Sequence, residues 1–255
     1  MKPSKLVSGA WYLIPFILIL VIWEAVTTFS LLPPDIFPPL TTTFASFVSL
    51  VAEGTLVGSL IATVERVIAS LLIAIPLGVV VGLLMGWKGS IFRFLILIFT
   101  VVFAIPKLAF YGILLFFFGV SDTSIVLIAS LSAFFGVLFP AIASARSVDS
   151  TLMKVAKDYD AGDMQIFFKV LIPNAVSGIA SGVKLALTLA YIEVVTAEMF
   201  RAAPGGVGLG WLMQLYAIYD QPGAVMAVLL VLLAFGGVVV FAADYAEGKL
   251  SMWRK

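Results

Sequence analysis

Residues 154–173 read KVAKDYDAGDMQIFFKVLIP and form the longest polar interruption in a sequence made largely of apolar runs. A charged segment of this kind cannot lie in hydrocarbon, because lipid offers its polar groups no hydrogen-bonding partners. The segment must therefore face water or a partner protein, and we expect a partner protein. The apolar runs before and after it predict segments that span a membrane.

The composition predicts a polytopic helical membrane protein, which is an all-α fold. Of the 255 residues, 62% are hydrophobic and 11% are charged, with a mean hydropathy of +1.18. A soluble domain carries about 25% charged residues. The sequence contains no Cys and no His, which excludes disulfides, thiol nucleophiles, ordinary zinc sites and imidazole proton relays. We expect no metal site, and the net charge of +1 does not indicate a nucleic-acid partner.

The apolar runs predict a single transmembrane domain, residues 1–255, with about six spans. Several runs exceed the roughly 20 residues that a helix needs to cross a bilayer. The first run is too long for a signal peptide and no small-residue cleavage site follows it, which favours an uncleaved span. Proline breaks the third span near its middle, at Pro106. The predicted spans are residues 9–30, 56–86, 94–119, 124–145, 174–200 and 224–243, with a polar loop at 146–173.

The distribution of basic residues predicts the orientation of these spans. Six spans put both termini and the polar loop on one side of the membrane, and eleven Lys and Arg residues fall there against one, Arg201, on the other side. Such a bias marks the cytoplasmic side. We therefore expect both termini and the polar loop in the cytoplasm. The eleven residues are Lys2, Lys5, Lys88, Arg93, Arg146, Lys154, Lys157, Lys169, Lys249, Arg254 and Lys255.

Charged residues inside the predicted spans need partners or a wet surface, because each costs about 2.5–3.5 kcal/mol at the membrane centre. Arg66 either has a partner of its own or reaches the membrane edge. Lys107 either satisfies a backbone carbonyl that Pro106 leaves unpaired or lines a path through the membrane. Glu193 is expected to pair with a basic residue of another span, for which Arg66 and Lys107 are the candidates.

A polar stripe runs along the predicted fifth span. Its members recur at steps of three, four or seven residues, so they share one face of a helix. Such a stripe faces a pore or a buried interface, or it reflects close packing with Lys184 reaching toward the membrane surface. We expect it to line a path through the membrane or the interface beside that path. The stripe contains Ser177, Ser181, Lys184, Thr188, Tyr191 and Glu198.

Short motifs recur in the polar loop and beyond it. Lys154-Val155-Ala156 is followed by Asp160, then by Pro173 thirteen residues later, and Gly206-Val207-Gly208 follows the fifth span. In these motifs the chain resembles the permease subunits of bacterial and archaeal ABC importers, most closely the branch for nitrate, sulfonates, taurine and related small molecules. The resemblance covers about residues 20–245. The family's loop carries Glu-Ala-Ala, then a glycine, then a proline thirteen residues on.

The resemblance implies a transport function and a set of partners. Residues 158–168 would form a short coupling helix that docks on an ATPase subunit, and two ATPases would drive two permease chains, most simply a homodimer. A binding protein would deliver the solute on the opposite face. The resemblance marks Lys154, Ala156, Asp158, Asp160, Ala161, Gly162, Gln165, Phe167 and Pro173 in the loop.

This chain is not expected to be an enzyme or to hold a cofactor. It contains no G-x-x-x-x-G-K-[ST] phosphate loop, so we expect ATP to bind and be hydrolysed on the partner subunit. The residues that we expect to line the path for the solute are Lys107, Ser181, Lys184, Thr188, Tyr191 and Glu198.

Two residues of the loop depart from the family pattern. Asp160 stands where the family has a glycine, whose turn requires a positive φ that glycine adopts most easily. Gly162 is an alternative residue for that turn. Lys154 reverses the charge of the family glutamate, which raises the alternative of a heterodimer whose second permease carries the usual loop.

Two other classes of function are open from the residues alone. An ion-coupled secondary transporter or a channel would use the charged residues in the spans, but the two halves of the sequence show no inverted repeat. A membrane-embedded enzyme lacks support, because His, Cys and clustered carboxylates at mid-membrane are absent from the sequence.

Overall fold

The computed structural model describes residues 5–201 and 205–251, which form helices and connecting turns with no strand among them. The predicted all-α fold is therefore confirmed. The following predicted residues lie outside the described part of the chain: the basic residues Lys2, Arg254 and Lys255, and Pro204, the first residue of the glycine-rich loop 204–210. The helices are α1 Lys5–Thr28, α2 Leu40–Ala52, α3 Thr55–Trp87, α4 Gly89–Ala104, α5 Leu108–Phe118, α6 Asp122–Arg146, α7 Ser150–Asp158, α8 Asp163–Ile166, a π-helix Phe167–Leu171, α9 Ile172–Met199, α10 Leu209–Ile218 and α11 Pro222–Ser251.

Each predicted span corresponds to a helix or a pair of helices. Within the described ranges, four segments are long and apolar enough to cross a membrane: α3, α6, the continuous helical segment from α8 to α9, and α11. The pair α4 and α5 would make a fifth. α1 coincides with the first predicted span, and its apolar part within the described side chains is Ile17–Thr28.

The break predicted at Ile105-Pro106-Lys107 is confirmed, and it is sharper than a kink. α4 and α5 meet there at 94°, because proline cannot donate the next helical hydrogen bond and disfavours helical geometry in the residue before it. Ile105 accordingly adopts an extended conformation, with φ −76° and ψ 133°. α4 also begins earlier than the predicted third span, so that only Lys88 separates it from α3.

α6 forms the centre of the bundle and packs most extensively against α9 and α3. Small residues allow these close contacts, as expected where lipid supplies no hydrophobic drive between helices. A Cβ on Gly82 of α3 would lie 2.6 Å from the Cβ of Ala141, and one on Gly136 of α6 would lie 2.9 Å from the Cα of Ala186. Gly78, Gly82 and Gly86, at four-residue spacing on α3, all face α6.

Two helices beside the spans complete a second packed region. Leu40–Ala52 forms the amphipathic helix α2, which contacts α11. No helix was predicted at α10, Leu209–Ile218. Leu50 of α2, Leu56 of α3, Leu212 of α10 and Val228 of α11 meet in one buried cluster. This region lies at the end of the bundle where α6 and α11 begin.

Candidate functional site

The predicted cytoplasmic loop is a compact helical segment, residues 147–171, which we call the coupling segment. Asp149 caps α7 by accepting a hydrogen bond from the backbone N–H of Thr151 at 2.7 Å, which lowers the pKa of Asp149. A four-residue turn separates α7 from α8. The segment therefore consists of two helical arms joined by a turn.

Asp160 occupies the left-handed position that closes this turn. Its φ is +56°, its N–H donates to the carbonyl of Lys157, and the N–H of Ala161 donates to that of Ala156. These two hydrogen bonds form a Schellman motif, in which glycine is the usual residue at the left-handed position. The requirement for a positive φ at residue 160 is confirmed, and an aspartate meets it here.

Two predictions about this segment are corrected. Gly162 does not take over the turn, since its φ is −69°; instead its N–H donates to the side chain of Gln165 at the start of α8. A single coupling helix over residues 158–168 is also wrong. Asp158 ends α7, and the left-handed residue at 160 stops the helix from continuing.

The coupling segment presents apolar side chains away from the bundle. No residue of α7 is buried, and Leu152, Val155 and Tyr159 share one face of it at steps of three and four. Tyr159 is 84% exposed and Met164 is 68% exposed. Apolar groups clustered on a polar segment outside the spans are typical of a surface that binds another protein.

The second arm is anchored to the bundle. Ile166 is fully buried, the ring of Phe167 meets the ring of Trp87 edge-on at 5.8 Å, and Lys88 forms an ion pair with Asp163 at 3.0 Å. The helix then runs without interruption from Asp163 to Met199. A displacement of the coupling segment would therefore be transmitted directly into α9.

The π-helix lies immediately before Pro173. Proline has no N–H to donate to the carbonyl four residues earlier, and the N–H of Ile172 reaches back five residues to Phe167. Asn174 donates its side-chain amide to the carbonyl of Val170 at 2.7 Å. Pro173, which the resemblance marked, thus changes the helical pitch between the coupling segment and α9, and such changes recur at functional positions.

Lys107 satisfies the helix that Pro106 breaks. Its ammonium donates to the carbonyls of Ile105, at 3.2 Å, and Phe103, and it lies 4.3 Å from the centre of the Phe103 ring. The structural role proposed from the sequence is confirmed. Lys107 is also partly exposed, so the second interpretation, a position on the path, stays a prediction.

The polar stripe of α9 packs mainly against α11 of the same chain. Lys184 forms ion pairs with Asp244 and, at 3.3 Å, with Glu247, and Ser181 donates to Glu247 at 2.6 Å. Tyr191 donates to the carbonyl of Leu232. Thr188 donates to the backbone of its own helix. Ser181 and Lys184 keep an exposed surface, whereas Glu198, at the far end of the stripe, is fully buried.

Of the two partners predicted for Glu193, Arg66 is wrong, because Glu193 does not pair with it. Its carboxylate accepts a hydrogen bond from Ser132 at 3.1 Å and interacts electrostatically with Lys107. The candidate partner Lys107 is therefore favoured over Arg66, whose ion pairs are with Asp122 and Glu198.

A charged network, formed by Arg66, Asp122, Glu198 and Arg201, lies at the end of the bundle opposite the coupling segment. α6 begins at Asp122 and ends at the coupling segment, which places the two sites roughly 36 Å apart along the helix. Arg66 donates to Glu198 at 2.5 Å and to Asp122 at 2.8 Å. Arg201 donates to the same oxygen of Asp122 at 2.7 Å. Arg66 therefore has charged partners of its own, as the first interpretation expected, and the interpretation that it reaches the membrane edge stays a prediction.

The glycine-rich loop closes over this network. Arg66 donates to the carbonyl of Val207 at 2.7 Å, and Glu198 accepts the N–H of Gly210 at 3.0 Å. Gly208 has a φ of +139°, and a Cβ there would lie 2.6 Å from the guanidinium of Arg66. Glycine is required at residue 208 both by the backbone and by the space. The sequence analysis singled out Arg66 and Glu198 but did not predict that they pair with each other. It did not place Asp122 or Arg201, which lie next to the ends of predicted spans, in a site.

The comparison with known protein families matches residues 74–251 to the family described as "Binding-protein-dependent transport system inner membrane component". The chain belongs to this family. The match includes the coupling segment, α9 and the glycine-rich loop. It makes the chain a multi-pass inner membrane subunit of a transport system rather than an enzyme, and it disagrees with the alternative of an ion-coupled secondary transporter or a channel.

Relatives in the family agree with the branch predicted from the sequence. The chain is 26% identical to a protein assigned as an aliphatic sulfonates transport permease of Bacillus subtilis, over 92% of this chain and 84% of that protein. It is 25% identical to the taurine transport system permease protein of Escherichia coli, over 92% and 86%. It is 29% identical to a nitrate import permease protein of Leptolyngbya laminosa, over 59% and 53%.

A solved structure shares the fold. The chain superposes on a chain of the MetNI methionine ABC transporter, crystallised in inward-facing conformations, with a TM-score of 0.67. The alignment covers 77% of this chain and 96% of that chain at 18% sequence identity. Because the chain belongs to a family of binding-protein-dependent transport subunits, an ATPase and a substrate-binding protein are implied as its partners.

Proposed function

We propose that this chain is the permease subunit of an ABC importer for a small anion such as a sulfonate, taurine or nitrate. Relatives named for these three solutes support the substrate class. Two separate ATPase subunits hydrolyse ATP, two copies of this chain form the path, and a binding protein delivers the solute to the face opposite the coupling segment. Both termini and the coupling segment lie in the cytoplasm, in agreement with the distribution of Lys and Arg residues.

The exposed apolar surface of the coupling segment is the observation that carries this proposal. Leu152, Val155, Tyr159 and Met164 project from a segment that follows a span and has no buried residue in its first arm. Binding to an ATPase would cover these side chains. The second arm continues into α9, so movement of the ATPase subunits would turn or shift α9 together with the side chains on its stripe.

The proposed path lies along α9 and the break between α4 and α5. Lys107, Ser181 and Lys184 keep exposed surface there, and Thr188 lies one turn beyond Lys184. Charged groups exposed at membrane depth are costly in lipid and are expected to face protein or water. Tyr191 and Glu198 contribute by fixing α9 to α11 and to α3, respectively, in this conformation.

The test reconstitutes the chain in proteoliposomes with the ATPase and binding protein encoded beside it. We expect solute and binding protein to stimulate ATP hydrolysis several-fold, with uptake of a sulfonate, taurine or nitrate. Asp160→Gly should leave the stimulation within about twofold, since Asp160 already adopts the left-handed conformation, whereas the β-branched Asp160→Val should reduce it strongly.

Gly162→Ala is the matched control for this turn. Residue 162 has an ordinary negative φ and open space around its Cβ position, so we expect stimulation to be unchanged. If ATP hydrolysis were stimulated in the Asp160→Gly protein but not in the original protein, the loop would be shown to be degenerate. It would also favour a heterodimer with a second permease.

A further inference from the structure

Two arginine side chains of the charged network converge on one oxygen of an exposed carboxylate side chain. Arg66 donates to Oδ1 of Asp122 through both Nε, at 3.2 Å, and Nη2, at 2.8 Å, and Arg201 donates to it through Nη1 at 2.7 Å. The Arg66 side chain is 6% exposed and that of Arg201 is 16% exposed, while that of Asp122 is 63% exposed. Two enclosed cations thus hold one anion that faces outward.

The two carboxylates of the network differ in how firmly they are held. Glu198 is completely enclosed and accepts from Thr63 at 2.9 Å, from Gly210 and from Arg66, so its removal would leave several buried donors unpaired. Among the described residues, the Asp122 side chain accepts from the two arginines only, and water can reach it. Asp122 is therefore the one of the two that another anion could replace at low cost.

The site has hydrogen-bond donors left over. Among the described residues, Nε of Arg201 and the hydroxyl of Tyr111 are buried without a hydrogen-bond partner. Tyr111 is 3% exposed, and its hydroxyl interacts electrostatically with Arg201 and Arg66. Tyr111 also lines a pocket of about 490 Å³ beside α5, and Phe200, the neighbour of Arg201 in the sequence, is another of its lining residues. These two buried donors are therefore available to a ligand that reaches the site.

The donor arrangement suits an oxyanion better than it suits one carboxylate oxygen. Three N–H groups now share a single oxygen of Asp122. A guanidinium presents its donors as a fork that matches two oxygens of a planar or tetrahedral anion. A sulfonate or nitrate, with three oxygens, would give each donor its own acceptor.

We propose that Arg66 and Arg201 form a binding site for a small monovalent oxyanion, and that Asp122 occupies the place of this anion when the site is empty. Asp122 moves into water when the anion binds, so one negative charge replaces another and Glu198 remains paired. The proposal rests on the proposed function for the route of the anion, since the site lies at the end of the bundle where a binding protein would release its solute.

The experiment measures anion binding by the permease–ATPase complex in nanodiscs, without ATP. Thermal unfolding is followed while methanesulfonate or nitrate replaces the bulky anion gluconate at constant ionic strength, because a ligand stabilises the state that binds it. In the original protein we expect weak binding, since Asp122 competes. Asp122→Asn should bind the same anions at least about tenfold more tightly, and Arg201→Gln should lose the effect.

Asp220→Asn is the matched control, because it removes one exposed aspartate at the same end of the bundle. Asp220 also has a left-handed φ of +57°, which asparagine tolerates, so binding should equal that of the original protein. Equal anion binding by Asp122→Asn, Asp220→Asn and the original protein would overturn the proposal. So would binding that survives Arg201→Gln. Binding as expected with no solute uptake in proteoliposomes would count against the proposed function alone.

Discussion

Arg66 and Glu198 show how a membrane bundle accommodates buried charge. They stand 132 positions apart and form an ion pair whose side chains are at most 6% exposed. Removing two charges from water is expensive, and the pair is tolerated only when the remaining donors and acceptors are also satisfied. Thr63, Gly210 and Val207 supply those partners, so the pair fastens the glycine-rich loop to α3 and α9.

Glu198→Gln should lower the midpoint of thermal unfolding in detergent. The substitution keeps the shape of the side chain but leaves the buried guanidinium of Arg66 without its enclosed counter-charge. Breaking a buried pair from one side costs about 3–5 kcal/mol in soluble proteins. Glu65→Gln is the control, because Glu65 is the exposed neighbour of Arg66. Equal midpoints for the two variants would contradict the stabilising role of the pair.

At the scale of elements, the contact between α3 and α6 depends on glycines at four-residue spacing. Gly78, Gly82 and Gly86 lie in one row on α3, and each allows a side chain or carbonyl of α6 to approach. No hydrophobic effect brings helices together in lipid, so this close approach provides the packing energy. The row is specific to the face toward α6.

Gly82→Leu should separate α3 from α6 and lower both the yield and the unfolding midpoint of the folded protein. A Cβ at residue 82 already lies 2.6 Å from the Cβ of Ala141 and 2.9 Å from the carbonyl of Leu138, and overpacking costs about 1–3 kcal/mol or more. Gly237→Leu makes the same change within α11, where a Cβ meets open space, and should be tolerated. A Gly82→Leu protein as stable as Gly237→Leu would rule out this packing account.

Other features of the elements were not accessible from the sequence. The break at Pro106 was predicted from proline chemistry, but its 94° angle depends on how α4 and α5 pack on α6. No characteristic amino-acid composition marks the π-helix at Phe167–Leu171 in the sequence. It arises from the missing N–H of Pro173 together with the anchoring of Phe167 on Trp87. Local chemistry located these features, and tertiary packing determined their geometry.

At the scale of the whole molecule, hydropathy predicted the all-α fold and the correspondence of spans to helices, because each span must be long and apolar by itself. Side-chain pairing was harder. Periodicity placed Ser181, Lys184 and Tyr191 on one face, but it did not show that α11 covers much of that face. Glu198 and Asp122 were not linked to Arg66, since their pairing depends on three helices meeting at one end.

The most direct measurement of the central claim is cross-linking of the coupling segment to the ATPase subunit. The chain has no cysteine, so a single introduced cysteine is unique. Tyr159→Cys lies in the coupling segment and Tyr219→Cys at the opposite end of the bundle, and both tyrosines are largely exposed. With a maleimide–benzophenone reagent in the assembled complex, whose photoreactive arm needs no cysteine on the ATPase, we expect Tyr159→Cys to cross-link to the ATPase and Tyr219→Cys not to do so. Cross-linking of Tyr219→Cys to the ATPase, or none from Tyr159→Cys, would contradict the account.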